Sequence, residues 1–458
     1  METRKRNLLL INPWIYDFAA YDLWAKPLGL LYLAALLEKN DWKVNYIDCL
    51  DIYHPALRAI MFKHPKRTLD HRGHFYREEV DKPPLLQEIP RRFYRFGLPP
   101  KVFRKVLQTL PFPEAILVTS GMTYWYLGVH EVISTVKEVF PSVPVILGGI
   151  YATLCSDHAK RLSGADFIIR GWGEVQVTKV LEELTGISSL FPSDLNDIDV
   201  LPSPAFQHYS RIDYVCILTS RGCPFRCTYC ASHILNDGFL RRNPARVVEE
   251  IIHWVKEYGV EDIAFYDDAL LVDPSSLAVP IFHDLIAKGI KIRFHTPNGI
   301  HARWVTQEIA FLMRKAGFTT IRLGLETSSM ERQLATGEKV SNEVFREAVR
   351  NLQRAGYSPE EIGVYILVGL PGQSKEEVED TIHFVWNCGA RPYLAEYSPI
   401  PGTHLWEEAI KISPFDLKGE PLFHNNTILP LRWEGLQWGD LRDLKGLIRK
   451  EGDRPVAT

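Results

Sequence analysis

The chain has 458 residues, 46% hydrophobic and 24% charged, which is an ordinary globular composition with room for two or three domains. A net charge of −3 gives no argument for nucleic acid or an anionic membrane as the main partner. No apolar stretch approaches the roughly 20 residues of a transmembrane segment, and Asn7-Leu-Leu-Leu-Ile11 is too short, and lacks the cleavage site, for a signal peptide.

In chain order, residues 1–190 alternate between strand and helix patterns. The strands are expected at Leu8–Ile11, Lys43–Asp48, Ile116–Ser120, Val143–Leu147 and Asp166–Arg170, with helices from Leu28, from Leu127 and between the later strands. This pattern predicts a doubly wound parallel sheet of the flavodoxin-like kind. Ligands of such sheets bind where strands end at their carboxyl edge, which marks loops 12–26, 119–126, 148–151 and 171–174. Residues 52–112 interrupt the pattern as a long insertion containing Arg91-Arg92-Phe-Tyr-Arg95, a basic run that reads as a solvated helix face. An insertion this long suggests a lid or a contact with a second domain.

Residues 191–212, with Leu201-Pro-Ser-Pro204, read as a linker. A second βα series follows over 213–405, with strands near 214–219, 262–266, 291–295, 320–325, 362–368 and 392–397. It predicts a partial (β/α)6 barrel whose site lies at the carboxyl ends of the strands. Residues 406–458 form a C-terminal extension rich in Trp, Pro and Asn.

Seven cysteines is an odd number, and Cys223, Cys227 and Cys230 fall within eight residues just after the first strand of the second series. A tight trio suggests a metal site in a reducing compartment, hence a cytoplasmic location, rather than disulfides. Iron–sulfur clusters are held by thiolates, and three ligands leave one iron of a [4Fe–4S] cluster open. His233 also permits a Cys3His zinc site by ligand type. Cys216 is a possible fourth thiolate but lies inside a predicted strand.

The spacing Cys-x3-Cys-x2-Cys, with Tyr229 before the last cysteine, resembles the radical S-adenosylmethionine (SAM) superfamily. The likeness runs on through Tyr266-Asp267-Asp268, Thr296-Pro-Asn298-Gly299, Gly324-Leu-Glu326-Thr-Ser328, Gly369-Leu-Pro-Gly372 and Ser398-Pro-Ile-Pro-Gly402, each at a strand end. It implies that Asp267 and Asp268 hold the SAM amino group, that Asn298, Glu326 and Ser328 line its site, and that Gly369 lies beside the adenine. Taken singly, these motifs are also ordinary helix caps and turns. The resemblance implies reductive cleavage of SAM to a 5′-deoxyadenosyl radical, with the cofactors carrying the hard chemistry.

A doubly wound domain ahead of such a barrel resembles the cobalamin-binding radical SAM class. The residues concerned are Lys26-Pro-Leu-Gly, Thr119-Ser120-Gly121, Gly148-Gly149-Ile-Tyr and Gly171-Trp-Gly173-Glu174, where glycines would let backbone approach a large ligand. The Asp-x-His-x-x-Gly pattern that supplies histidine to cobalt in some cobalamin proteins is absent. Trp14, Tyr16, Tyr124 and Trp125 either flank the corrin or pack between domains. The class implies C-methylation of an unactivated carbon. The alternative is a cyclase, ring-rearrangement or C–C bond-forming enzyme without net methyl transfer, and a further one is a non-catalytic sensor. The implied partners are a low-potential electron donor of flavodoxin or ferredoxin type and a substrate that the sequence does not identify.

Overall fold

A computed structural model describes residues 6–186, 197–433 and 435–452. Parts of the expected segments lie outside the described residues: 1–5 and 187–190 of the first domain, 191–196 of the linker, and 434 and 453–458 of the extension. The chain divides into two compact units, Met1–Asp213 and Tyr214–Thr458.

The strands of the first unit are β1 (Asn7–Asn12), β2 (Ile15–Asp17), β3 (Lys43–Asp48), β4 (Arg77–Val80), β5 (Phe93–Phe96), β6 (Ala115–Val118), β7 (Val145–Leu147) and β8 (Phe167–Ile168). Five of them form a parallel sheet in the order β3-β1-β6-β7-β8. Renumbered within the sheet this is 2-1-3-4-5, the doubly wound flavodoxin-like order expected from the sequence. Runs such as Leu8-Leu-Leu-Ile11 and Ala115-Ile-Leu-Val118 are buried on both faces. Leu8, Leu10, Leu117 and Ile146 meet Leu30 and Leu37 of helix Leu28–Lys39 and Val177 and Leu181 of helix Gly173–Thr185. The strand order reverses between β1 and β6, so the crevice of this unit opens beyond Asn12 and Val118.

The insertion 52–112 is built differently from the solvated helix face expected of its basic run. Arg91–Arg95 leads into and forms β5, which pairs antiparallel with β4 and with β2 from the first loop. Arg95 is bonded to Glu78 and Arg92 to Glu79 (3.4 Å) across the strands, so the run is largely neutralised by its neighbour. Residues 197–213 lie along the same unit: Ala205 N–H donates to Leu31 O (3.1 Å), and the Tyr209 hydroxyl to Asp48 Oδ2 (2.5 Å).

The strands of the second unit are β9 (Tyr214–Ile217), β10 (Ser220–Arg221), β11 (Leu240–Arg241), β12 (Asp262–Phe265), β13 (Arg293–His295), β14 (Phe318–Glu326), β15 (Ile362–Val368) and β16 (Arg391–Glu396). Six of them make one parallel sheet in sequential order, β9-β12-β13-β14-β15-β16, the expected partial barrel. Four of the helices between strands begin on side-chain caps: Asn243, Thr306, Ser341 and Ser374 each accept from a backbone N–H of the first turn. Such a cap contributes about 1 kcal/mol and fixes where each loop ends. Phe265, Phe294 and Phe318 stack within 5.3–5.4 Å of one another, and Phe282 of helix Ala278–Ala287 closes on Phe318 at 5.0 Å. The extension packs on this unit too, with Lys375 Nζ 3.1 Å from Asp443 of helix Trp438–Gly452.

Candidate functional site

β9 ends at Ile217, and the chain runs through Thr219 and Ser220 into the cysteine loop. Antiparallel β10 and β11 pair at the base of that loop. Asp267, just past β12, fixes the joint. Its buried carboxylate accepts from Thr219 N (3.0 and 3.1 Å), Thr219 Oγ1 (2.6 Å) and Ser220 Oγ (2.6 Å). Burial raises the pKa of this carboxyl even against those donors. The loop is tied at two further points: Thr228 N–H donates to Thr336 O (3.3 Å), and Leu405 N–H to Thr228 O (3.0 Å).

Cys227 is buried, and Cys223 and Cys230 are half-buried. Burial raises the Cys223 thiol and pushes Cys230 up to about 11; each also feels Asp268 and its neighbouring thiols. Ser232 N–H donates to Cys230 Sγ at 3.4 Å, the kind of bond that tunes cluster sulfur. Among the described residues no three His, Cys, Asp or Glu side chains converge closely enough to hold a single metal ion. A donor set of three thiols on one loop suits a cluster that takes one thiolate per iron.

Around the thiols stand three further groups. Tyr229 has its phenol beside Glu326 and Cys227, and burial, then Glu326, raises its pKa. Glu326 closes β14 with a φ of 70°, a left-handed backbone that a non-glycine residue adopts at a cost. Its carboxylate accepts from Lys339 Nζ at 3.2 Å. Burial works against the Lys339 ammonium, but Glu326 and the Cys227 and Cys230 thiols raise its pKa overall. Local spacing in the sequence does not single out Lys339, which meets Glu326 only because the chain folds back after helix Met330–Ala335. His301, nearly fully buried, stacks on Phe225 of the loop at 4.6 Å. Burial, with Lys339 and Arg303, lowers its pKa to about 3, so it is neutral.

The other expected residues divide by what their side chains already do. Asp268 is exposed and accepts from Ser232 Oγ (2.6 Å), and exposed Asn298 donates to Tyr266 O (3.0 Å). Ser328 is turned to helix Lys375–Asn387, its N–H and hydroxyl both on Thr381 Oγ1 (3.1 and 3.0 Å). Gly369 N–H donates to Oε1 of fully buried Gln373 (2.9 Å), which holds the Gly369–Gly372 turn. The structure thus gathers the cysteines, Tyr229, Asp268 and Glu326, while Asp267 fixes Thr219 and Ser220 ahead of the loop, Ser328 is spent on Thr381 and Gly369 is held by Gln373.

In the first unit, Ser120 lies past β6 and bridges to the next loop: its hydroxyl donates to Gly148 O (2.6 Å) and accepts from Ala152 N (3.3 Å). A Cβ on Gly149, whose φ is 92°, would fall 2.3 Å from Ser120 O, so only glycine permits this approach. Gly171, by contrast, has a φ of 67° and no atom within 4 Å of a would-be Cβ. Its N–H donates to Thr153 Oγ1 (2.9 Å). Gly173 begins helix Gly173–Thr185, and Glu174 is buried in its first turn. Half-buried Thr119 is held through its backbone, with N–H on Ile11 O (3.0 Å). This edge is backbone-rich and open at Gly171, which fits a large flat ligand held by contacts rather than by a metal-ligating histidine. The aromatic set is committed within the unit. Trp14 Nε1 (3.1 Å) and the Tyr16 hydroxyl (2.5 Å) share Glu131, Trp125 Nε1 donates to Asp17 (2.8 Å), and Tyr124 meets Trp125 edge-on at 5.9 Å.

The chain is similar to several known proteins. An uncharacterized methyltransferase, PH0819, of Pyrococcus horikoshii is 25% identical over 356 residues, 70% of this chain and 72% of the relative. Cytidylyl-2-hydroxyethylphosphonate methyltransferase of Streptomyces wedmorensis is 23% identical over 96% of this chain and 89% of its own. Among solved structures, the radical S-adenosylmethionine methyltransferase TsrM of Kitasatospora setae, with cobalamin and a [4Fe–4S] cluster bound, has the same fold. Its TM-score is 0.66 at 15% identity, over 97% of this chain and 91% of that one. Residues 217–385, from the last residue of β9 into helix Lys375–Asn387, match the radical SAM superfamily. That superfamily uses a [4Fe–4S] cluster and SAM and requires a reductant. With a three-cysteine loop at the head of a sequential parallel barrel and a family match across residues 217–385 of that barrel, the second unit carries a radical SAM domain.

Proposed function

We propose that the protein is a cobalamin-dependent radical SAM enzyme that methylates an unactivated carbon. The observation that carries this reading is the pairing, in one chain, of a 2-1-3-4-5 doubly wound unit with a three-cysteine barrel, over 97% of its length in the fold of a methyltransferase solved with both cofactors. When bound, the cluster and SAM supply a 5′-deoxyadenosyl radical, and cobalamin supplies a methyl carrier.

The chain's own residues hold and orient these groups. Cys223, Cys227 and Cys230 are the thiolate ligands, on a loop that Asp267 and Thr336 keep in place. Asp268 and Asn298 keep exposed polar groups at consecutive strand ends for a zwitterionic ligand. Lys339 and Glu326 set a compensated charge pair beside the thiols. Ser328 and Gly369 shape the neighbouring turns. In the first unit Thr119, Ser120, Gly148, Gly149, Gly171, Gly173 and Glu174 form the edge for the corrin. The reductant is a flavodoxin- or ferredoxin-type donor, as suits a protein of a reducing cytoplasm.

A second reading, ring formation without methyl transfer, is favoured by a relative named anaerobic magnesium-protoporphyrin IX monomethyl ester cyclase of Cereibacter sphaeroides. It is 26% identical over 64% of this chain, and the chain spans 53% of it. The test is anaerobic reconstitution with reductant and SAM. 5′-Deoxyadenosine is expected from the native protein and not from Cys227→Ala; its absence from the native protein under several reductants overturns the radical reading. Corrin absorbance retained through gel filtration tests the cobalamin reading. Label from the SAM methyl group, found or not found on the product, separates methylation from cyclisation.

A further inference from the structure

The insertion carries a surface that the cofactor chemistry does not use. From Ile52 to Leu69 the sequence has no acidic residue but four basic ones, Arg58, Lys63, Lys66 and Arg67. Within this stretch Phe62 is 109% exposed, Leu69 95% and Ile60 42%. Single exposed apolar residues are common on proteins, but a fully exposed phenylalanine between uncompensated cations is not a solvated-surface pattern.

The base of this segment is firmly anchored. Arg67 is paired with Asp22 (2.6 Å) and Arg72 with Asp70 (2.7 Å). Trp24 Nε1 donates to Asp70 O (2.7 Å), and the Arg72 guanidinium lies over the Trp24 ring at 4.9 Å. The carboxylates of Asp22 and Asp70 are thereby spent on Arg67 and Arg72, and that of Asp213 on Arg211, while Arg58, Lys63 and Lys66 form no ion pair among the described residues. Beside Arg58 a cavity of about 450 Å³ is lined by Tyr53, Pro55, Arg58, Ala59, Ser210 and Arg211; its wall carries the Arg58 guanidinium and that of Arg211, which is paired with Asp213 (2.5 Å).

We propose that residues 58–69 are a docking loop for an anionic phospholipid surface. Phe62, Leu69 and Ile60 enter the interface, Arg58, Lys63 and Lys66 meet lipid phosphates, and the cavity between Arg58 and Arg211 receives a headgroup. Apolar tips and cations act together in this mode, and neither alone gives firm attachment. A net charge of −3 does not oppose it, because the local field of the loop is positive and screening confines it to within about 8 Å of the surface at physiological salt.

The full-length protein, reconstituted with its cofactors, is to be sedimented with vesicles of phosphatidylcholine alone or mixed with phosphatidylglycerol. Binding is expected with the mixed vesicles, weakened by added salt and much lower with phosphatidylcholine alone. Lys63→Glu and Lys66→Glu are each expected to weaken it about five-fold or more, and Phe62→Asp to remove most of it. These side chains are exposed, so the variants keep their far-ultraviolet circular dichroism, which is checked alongside. Native protein that stays in the supernatant with the mixed vesicles overturns the proposal. So does equal binding to both vesicle types, or binding by folded Phe62→Asp at the native level. Inorganic phosphate that abolishes binding while the protein ignores salt would assign the cavity to a free anion instead and also overturns it.

Discussion

The carboxyl edge of the first sheet and the strand ends of the second are built from the same βα units, yet they present opposite chemistry. At the first edge the polar side chains are turned inward on the protein: Asn12 and Tyr209 on Asp48, Ser120 on Gly148, Thr153 on Gly149 and Gly171. At Gly149 and Gly171 the edge presents backbone itself. At the second edge, charged and ionisable groups crowd a single loop: three thiols, Asp268, and the Glu326–Lys339 pair. One parallel architecture thus provides a glycine-bearing edge in one unit and a cluster of thiols and charged groups in the other. The difference lies in which residues follow each strand, not in the strands.

The largest effect is expected at Gly149. In Gly149→Val the new Cβ meets Ser120 O in a backbone conformation that L side chains avoid. A loss of about 4 kcal/mol in urea unfolding of the first unit is expected; a loss under about 1 kcal/mol would show that the Ser120–Gly149 approach does not hold the edge together. Next comes Lys339→Met, which leaves the Glu326 carboxylate unpaired and should cost the second unit about 3 kcal/mol. The double variant with Glu326→Gln should recover part of that, and failure to do so would mean the pair is not coupled.

A third test concerns Asp51, a buried carboxyl of the first unit raised to about 6 by burial, with Asp48 and Asp213 adding to it and Lys26 opposing. A raised acid pKa stabilises the fold only while the group is protonated. The contribution is complete below the unfolded value of about 4 and is lost as pH rises through about 6. Asp51→Asn should therefore gain about 2–3 kcal/mol above neutrality and flatten the pH dependence of unfolding across that window. An unchanged slope would place the titration elsewhere. The smallest effect is expected from Gly171→Ala, where the added methyl meets open space and only the positive φ costs, about 1 kcal/mol. Here the informative readout is weaker corrin retention with stability nearly intact.

Much of this was legible in the residues themselves. Buried runs such as Leu8–Ile11 and Ile362–Val368 announce parallel strands, and the spacing of Cys223, Cys227 and Cys230 announces a metal site that the radical SAM resemblance narrows to a cluster. The small sheet of the insertion was not legible. β2 is three residues long, and its pairing with β5 joins residue 15 to residue 96, across a separation that local periodicity does not report. The same holds for Lys339, whose role depends on a fold-back onto Glu326, and for Ser328, whose polar groups are taken by Thr381. Sequence marks which residues are polar at a strand end; it does not say which of them tertiary contacts will already have occupied.

The clasp of Asp267 on Thr219 and Ser220 bears on how the protein acquires its iron. The approach to Cys223 is held by oxygen and nitrogen partners alone, a set of bonds that needs no metal. In small zinc modules the metal is the scaffold and chelators unfold them. Here a chelator should strip the iron while the barrel remains folded and ready to be recharged.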